Sequence, residues 1–159
     1  MTIENFLNQF YTDLILVKRD SEQTAVTYKI SAEEFLNWLS TEKIKLKDVS
    51  VQNLFYYFIK RQTDGASELT IAKDISGIRA LGDFLVRKKM WEENHALLLE
   101  KPKASRHLPK VLTVEQIEAL LDSIDVKTLS GKRDDALFEL IYSCGLRISE
   151  ACTLLIANV

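Results

Sequence analysis

The sequence contains few residues of the types that cross-link chains or bind metal ions. Its 159 residues include two cysteines, Cys144 and Cys152, and two histidines, His95 and His107. Two cysteines are too few for a disulfide framework or a cysteine-rich zinc cluster. We therefore expect both thiols to be reduced, as is usual in the cytosol.

Long apolar runs are also scarce. Runs such as residues 14–17 and 96–99 are much shorter than the roughly 20 residues that a membrane-spanning helix needs. Met1 is followed by Thr-Ile-Glu-Asn rather than by a basic stretch and an apolar run, so we expect no secretory signal. These features predict a cytoplasmic protein with no membrane partner.

Charge is divided unevenly along the chain, although the net charge is only −2. Residues 1–110 hold 17 Lys and Arg against 15 Asp and Glu, whereas residues 111–159 hold 4 against 8. The stretch 87–110 alone has seven basic residues and three acidic ones. The division indicates two regions with different partners.

A linker separates these two regions. Both prolines, Pro102 and Pro109, fall within residues 101–110, and proline lacks the N–H that a helix or a central strand requires. The segment ends at a capping box that runs from Thr113 to Gln116. We predict a first domain over 1–100, a basic linker over 101–111 and the start of a second domain over 112–159.

The apolar spacing predicts a mainly α chain. Four helices are predicted before the linker, over residues 3–17, 22–40, 51–61 and 68–86. After the linker we predict a helix over 114–123, a loop through Ser130-Gly131, a helix over 134–142 that Gly145 ends, and a last helix from about Ile148. Isoleucines on the fourth helix and the aromatics at 55–58 on the third are expected to form the core of the first domain.

The segment after the apolar sixth helix carries the most specific motif. It resembles the first conserved box of the tyrosine site-specific recombinases, the phage integrase family, and most closely the bacterial Xer type. The matching residues are Gly145, Leu146, Arg147, Ser149 and Glu150, with Cys144 in place of the usual threonine. Weaker similarities, persuasive only together, are found at Ser21, Thr24, Tyr28, Phe35, Lys73, Ser76, Arg79, Phe84-Leu85, residues 108–113, Glu115 and Ile117.

The resemblance implies a fold and an activity for a longer parent protein. The fold would be a four-helix, SAM-like core-binding domain, a basic linker and the first helices of a mixed α/β catalytic domain. The parent would cut and rejoin double-stranded DNA through a 3′-phosphotyrosine intermediate, with no metal or nucleotide cofactor, in a nucleoid-associated setting. Its partners would be other recombinase protomers, four of them acting on two sites.

Arg147 and Glu150 are the candidate catalytic residues. A guanidinium at a turn between helices can bind a phosphate through two parallel N–H bonds and stabilise the charge of phosphoryl transfer. Glu150 would repel the phosphate, so it is expected to hold the arginine or to cap the next helix. The alternative is an ordinary surface ion pair worth about 0–1 kcal/mol; the surrounding resemblance favours the catalytic origin.

Three groups of residues are candidates for binding DNA. On the fourth helix, Thr70, Lys73, Ser76 and Gly77 recur at helical spacing with Arg79 beside them, and the glycine would permit a close approach to the phosphate backbone. The second helix carries a similar patch, formed by Thr24, Tyr28, Lys29 and Ser31. The complete candidate set is Thr24, Tyr28, Lys29, Thr70, Lys73, Ser76, Arg79, Lys101, Lys103, Arg106 and Lys110.

Each group has a simpler reading. The helix patches would be plain solvated faces, with Asp74 and Asp83 diluting the positive field, and Tyr28 would place its ring in the core and offer only its hydroxyl. The linker would be a soluble hinge rather than part of a clamp on the duplex. We favour the clamp because a hinge needs no excess of basic residues.

Residues that the family uses later in its catalytic domain have no counterpart in these 159 residues. Both histidines and all five tyrosines precede Arg147. His107 is followed by Leu-Pro-Lys rather than by the expected His-x-x-Arg pattern, and Asn158 stands where an aspartate is usual. The chain is interpreted as the front portion of a recombinase. The alternatives are a naturally truncated, non-catalytic protein that occupies recombination sites, and a helical interaction module.

We therefore predict that this chain does not cleave DNA strands. Incubation with a duplex, followed by denaturing electrophoresis, should show no covalent protein–DNA adduct because no tyrosine follows Arg147. An adduct formed by these 159 residues would contradict the prediction.

Overall fold

A computed structural model describes residues 2–103 and 111–155 of the chain. The chain divides into two compact units, Met1–Arg106 and His107–Val159. The division falls inside the predicted linker, whose boundaries at 100 and 111 stay predictions. Among the described residues no helix is long and apolar enough to cross a membrane.

The first unit consists of four α-helices, which confirms the mainly α fold class. They are α1 (Ile3–Leu16), α2 (Glu22–Thr41), α3 (Val51–Thr63) and α4 (Glu68–Arg87). Short 3₁₀ helices follow α2, at Leu46–Asp48, and α4, at His95–Leu98. Each α-helix begins after a hydroxyl residue whose side-chain oxygen accepts a hydrogen bond from the third helical amide. These capping residues are Thr2, Ser21, Ser50 and Ser67.

The core of this unit lies where α1, α2 and α4 meet. Phe10, Phe35 and Phe84 are almost completely buried, and the rings of Phe10 and Phe84 pack with centroids 5.5 Å apart. The apolar stripe predicted on α4 is buried as expected. On α3 the aromatic prediction holds for half of the run: Tyr57 and Phe58 are buried, whereas residues 55 and 56 face outward because they lie on the opposite side of the helix.

A buried carboxylate joins three of the helices. Asp74 of α4 accepts hydrogen bonds from the Ser31 hydroxyl of α2 and from the Arg61 guanidinium of α3, each at 2.8 Å. Arg61 also pairs with Glu34 of α2 at 2.7 Å. Since an unpaired buried charge is very unfavourable, these bonds are what make Asp74 tolerable in the core.

Gly77 lies inside the bundle rather than on an outer face. It is buried, and a Cβ atom at this position would lie 2.8 Å from the Ser31 Cβ atom. The interpretation of Gly77 as a point of close approach to DNA is therefore wrong. The glycine is required because α2 and α4 cross in contact at this point.

The second unit contains α5 (Val114–Asp122), α6 (Leu129–Cys144) and α7 (Ile148–Thr153). The prediction of a loop through Ser130-Gly131 is wrong, because α6 begins five residues earlier than expected, after its cap Thr128. Gly131 belongs to the first turn of α6, where its amide donates to the Thr128 hydroxyl. A Cβ atom there would collide with the Asp125 carbonyl oxygen at 1.9 Å, so the glycine allows a tight approach and does not end the helix.

Replacing Arg61 should test the buried network. Arg61→Met leaves the Asp74 carboxylate in the core without its guanidinium, so we expect the free energy of unfolding to fall by about 3 kcal/mol. Lys60→Met is the matched control, because Lys60 is half exposed and pairs at 3.4 Å with Asp64, the residue that follows α3. It should cost less than about 1 kcal/mol. Urea denaturation that gave similar losses for both variants would contradict this account.

Candidate nucleic-acid interface and arginine turn

The candidate residues of α4 follow one side of the helix from its first turn. Thr70 lies in the capping turn, where its amide donates to the Ser67 hydroxyl at 3.2 Å. Lys73, one turn later, has a side chain that is 44% exposed and an ammonium group 3.4 Å from Asp74. Ser76 is partly buried and donates its hydroxyl to the Ala72 carbonyl at 2.9 Å. Lys73 thus presents an exposed positive charge between two hydroxyl residues. We name Thr70, Lys73 and Ser76 the α4 patch.

The candidate residues of α2 divide between two neighbours. Thr24 caps its own helix together with Ser21, as Thr70 does on α4. Tyr28 is partly buried against the core, and its Cα lies 3.4 Å from the position of a Gly77 Cβ atom, so it packs against α4 at the buried glycine. The assignment of Ser31 to this patch is wrong, because Ser31 is fully buried and donates its hydroxyl to Asp74. Lys29 extends in another direction, to α1, where it donates to the Asn8 side chain at 2.8 Å and lies over the Tyr11 ring.

Asp74 and Asp83 of α4, which the sequence suggested would weaken the positive field of this helix, both have partners in the first unit. Asp74 is buried and paired with Arg61. Asp83 accepts hydrogen bonds from Lys18 at 2.5 Å and from Asn94 at 2.6 Å. Partial burial would raise the pKa of Asp83, but these two bonds outweigh it and hold the pKa below its ordinary value. Both carboxylates therefore direct their charge at partners within the unit.

Arg79 lies on the same side of α4 as Ser76, and its guanidinium is engaged by the backbone. It donates to the Ala96 carbonyl at 3.3 Å and to the Leu99 carbonyl at 2.5 Å. The Ala96 carbonyl lies in the 3₁₀ helix that follows α4, and the Leu99 carbonyl belongs to the residue that caps the end of that helix. Arg79 thereby links α4 to the segment that leads into the linker.

The linker candidates are described in part. Lys101 and Lys103 are exposed and follow Leu99, the buried residue that ends the last 3₁₀ helix of the unit. Arg106 and Lys110 lie outside the described residues. For these two positions the sequence prediction stays as it is.

In the second unit, Arg147 occupies the turn between α6 and α7. Gly145 ends α6 with a left-handed φ of 63°, which reverses the chain so that Arg147 becomes the residue that precedes α7. The arginine side chain is 82% exposed. A guanidinium with this exposure and five N–H groups can bind the oxygens of a phosphate group while one N–H stays engaged elsewhere.

Glu150 holds both the backbone and the side chain of Arg147. One carboxylate oxygen accepts the Arg147 amide and the other accepts an N–H of its guanidinium, each at 2.8 Å. Hydrogen bonding by the Arg147 backbone, and then by its side chain, holds the pKa of Glu150 below its ordinary value. The two roles considered for Glu150, support of the arginine and helix capping, are thus combined in one carboxylate.

Two contributors to the surroundings of the candidate residues were missed in the sequence. Arg61 neutralises Asp74 from another helix, and nothing in the spacing of the sequence indicates that pairing. Asn94 bonds to α4 and also accepts the Ala96 amide at 3.1 Å, which caps the following 3₁₀ helix. Asparagine before a short apolar run is a local capping signal that could have identified it. No cluster of potential metal ligands occurs within the described ranges.

Removal of Glu150 should loosen the Arg147 turn. In Glu150→Ala the Arg147 amide loses its acceptor, so its hydrogen exchange should become faster than in the unaltered chain, as NMR can measure. In the unaltered chain, the same amide resonance should titrate with a midpoint below 4.5, the ordinary pKa of Glu, because the carboxylate form is the one that accepts the bond. Ser149→Ala, in the same exposed turn, is the control. Equal exchange rates in all three proteins would argue against the arrangement.

Comparison with known proteins matches the two halves of the chain in order. The family described as "Phage integrase, N-terminal SAM-like domain" matches residues 7–89, and the one described as "Phage integrase family" matches residues 110–159. The second match includes the Arg147 turn.

Several curated relatives align along almost the whole chain. Tyrosine recombinase XerC of Bacillus subtilis is 35% identical over 158 residues, which is 99% of this chain and 52% of the relative. Tyrosine recombinase XerD of Pasteurella multocida is 31% identical over 157 residues, again 99% of this chain and 52% of the relative. A putative tyrosine recombinase of Caldanaerobacter subterraneus is 35% identical, with 98% of this chain and 54% of the relative covered.

The chain therefore spans about half the length of the curated relatives it matches. Both matched regions, the helical first unit and the position of the arginine turn agree with the resemblance found in the sequence. On these grounds, the chain belongs to the phage integrase family of tyrosine recombinases and is similar to its Xer members.

Proposed function

We propose that this chain is the DNA-binding portion of a site-specific tyrosine recombinase. The observation that carries the proposal is the arrangement of Arg147 and Glu150 within a region that matches the phage integrase family. In the full-length parent, four protomers on two sites would cut and rejoin double-stranded DNA through a 3′-phosphotyrosine.

The first unit supplies the affinity for DNA. Lys101 and Lys103 are exposed, and Lys73 is 44% exposed although its ammonium group lies 3.4 Å from Asp74. Asp74 and Asp83 are engaged by partners inside the unit, which for Asp74 include Lys73. Phosphates attracted to this face meet less opposing negative charge than the sequence alone indicates. Contacts of this kind fix the position of a protein on the duplex without reading its sequence.

The arginine turn supplies charge stabilisation at the phosphate. In the transesterification, the bond from phosphorus to the tyrosine oxygen forms and the bond to the 5′ oxygen breaks, while a proton passes to the leaving 5′ oxygen. Arg147 would bind the non-bridging oxygens, where negative charge is concentrated. Glu150 would act as a positioning residue, because it keeps the guanidinium oriented before the phosphate arrives.

Salt dependence of duplex binding tests the proposal. The logarithm of the association constant should fall linearly with the logarithm of salt concentration, with a slope of about −0.9 for each phosphate neutralised. Lys73→Met should weaken binding of all duplex sequences alike and reduce the slope by about 1. Lys60→Met, on α3, should leave the slope unchanged.

Fluorescence anisotropy with a labelled duplex provides the measurement. If the affinity of the unaltered chain for the duplex did not depend on salt concentration, the proposed phosphate contacts would be contradicted. A steep slope that Lys73→Met leaves unchanged would remove the α4 patch from the interface but keep the remainder of the proposal.

A further inference from the structure

After α4 the chain turns back and runs along that helix in the opposite direction. We name residues 88–103 the exit segment. Trp91, near its beginning, is buried and donates its indole N–H to the Leu46 carbonyl at 2.8 Å. Farther along, Asn94 contacts residues 79–83 of α4, and the carbonyls of residues 96 and 99 meet Arg79. The exit segment therefore advances from the end of α4 towards its middle.

The Asn94 side chain is fully engaged in this packing. Its amide nitrogen donates to the Arg79 carbonyl at 2.9 Å and to the Asp83 carboxylate at 2.6 Å, and its oxygen accepts the Ala96 amide. Gly82 makes the fit possible, because a Cβ atom there would lie 2.0 Å from the Asn94 oxygen. We name Arg79, Gly82, Asp83 and Asn94 the clasp.

The clasp is anchored at both ends. Asp83 also binds Lys18, two residues after the end of α1, which ties the clasp to the body of the first unit. Arg79 holds the carbonyls at the end of the last 3₁₀ helix, so the chain leaves the clasp at Leu99, which is itself 3% exposed. The point from which the linker departs is thus fixed by hydrogen bonds and burial together.

Short distances separate this departure point from the α4 patch. The four residues from Leu99 to Lys103 can extend at most about 14 Å. The six residues from Arg79 back to Lys73 span about 9 Å of helix. The chain after Leu99 is therefore long enough for Lys101 and Lys103 to reach phosphates next to those that Lys73 would contact.

We propose that the clasp positions the linker on DNA, with Asn94 and Arg79 as positioning residues. The clasp delivers Lys101 and Lys103 to phosphates next to those bound by the α4 patch. In this assignment Arg79 acts through the exit segment rather than as a phosphate ligand. The inference rests on the proposed function, since it concerns how the same unit engages a duplex.

Asn94→Ala is the sharpest test, because it changes no charge. It removes both donors from the clasp and frees the exit segment, so the linker lysines should no longer be held at their phosphates. The salt slope of the full chain should decrease in magnitude by about 1.8, equal to the loss of two phosphate contacts. The double variant Lys101→Gln, Lys103→Gln should show the same decrease. Adding Asn94→Ala to that double variant should produce no further change in slope.

Arg79→Met separates the two roles of the arginine, and it carries the test if Asn94→Ala fails to fold. If Arg79 is a positioning residue, Arg79→Met should reduce the salt slope of the otherwise unaltered chain. It should cause no further reduction in the double variant Lys101→Gln, Lys103→Gln. If Arg79 is instead a direct phosphate ligand, Arg79→Met should reduce the salt slope of that double variant by a further amount of about 1. The second outcome would overturn the assignment of Arg79.

A matched control excludes a general effect of lower stability. Val49→Ala truncates a buried apolar side chain between the 3₁₀ helix Leu46–Asp48 and α3 that takes no part in the hydrogen bonds of the clasp, and it should leave the slope unchanged at temperatures where all variants are folded. A steep slope for the unaltered chain that Asn94→Ala does not alter would overturn the clasp proposal alone. Absence of salt-dependent binding by the unaltered chain would overturn the proposed function, and the clasp proposal with it.

Discussion

The buried carboxylate of Asp74 is the constraint on which the first unit depends. Its hydrogen bonds to Ser31 and Arg61 join α2, α3 and α4, so three helices must be correctly placed before the charge is compensated. A buried ion pair often contributes less to stability than an apolar core of the same size would. Here its consequence is specificity of arrangement, because a slipped helix would leave a charge without a partner. The same bonds leave Lys73 as the more distant cationic partner of Asp74, at 3.4 Å against 2.8 Å for Arg61.

The two candidate sites follow one rule, although they lie in separate units. In each site a carboxylate forms an ion pair with an arginine or lysine of the same unit. The pair helps to fix the position of a positively charged side chain. Glu150 does this for Arg147 through two bonds at the surface. Asp83 does it indirectly, by binding both Lys18 and Asn94 of the exit segment. Acidic residues that lower the net charge thus help to arrange the basic ones.

Local signals in the sequence were sufficient for most helix starts and for the Arg147 turn. Hydroxyl caps such as Ser21 and Ser67, and the Arg147–Glu150 pair three residues apart, depend only on near neighbours in the chain. The start of α6 was missed because Gly131 looks like a helix breaker, whereas it is needed for contact with the preceding turn. Contacts between distant segments had no such signal. The pairing of Asp74 with Arg61, and the engagement of Arg79 by carbonyls 17 and 20 residues away, follow from packing alone.

The crossing of α2 and α4 has a mechanical consequence. Ser31 and Gly77 meet there, and each lies ten residues after the serine that caps its helix, Ser21 or Ser67. The N-terminal halves of α2 and α4 therefore extend the same distance, about 15 Å, from the crossing point. A rotation of about 10° at the crossing point would move the N-terminus of the rotating helix by roughly 2.6 Å. This displacement is close to the length of a hydrogen bond. The hydrogen bond from Ser31 to Asp74 at the crossing therefore restrains such a rotation, and with it the separation of the two helix starts.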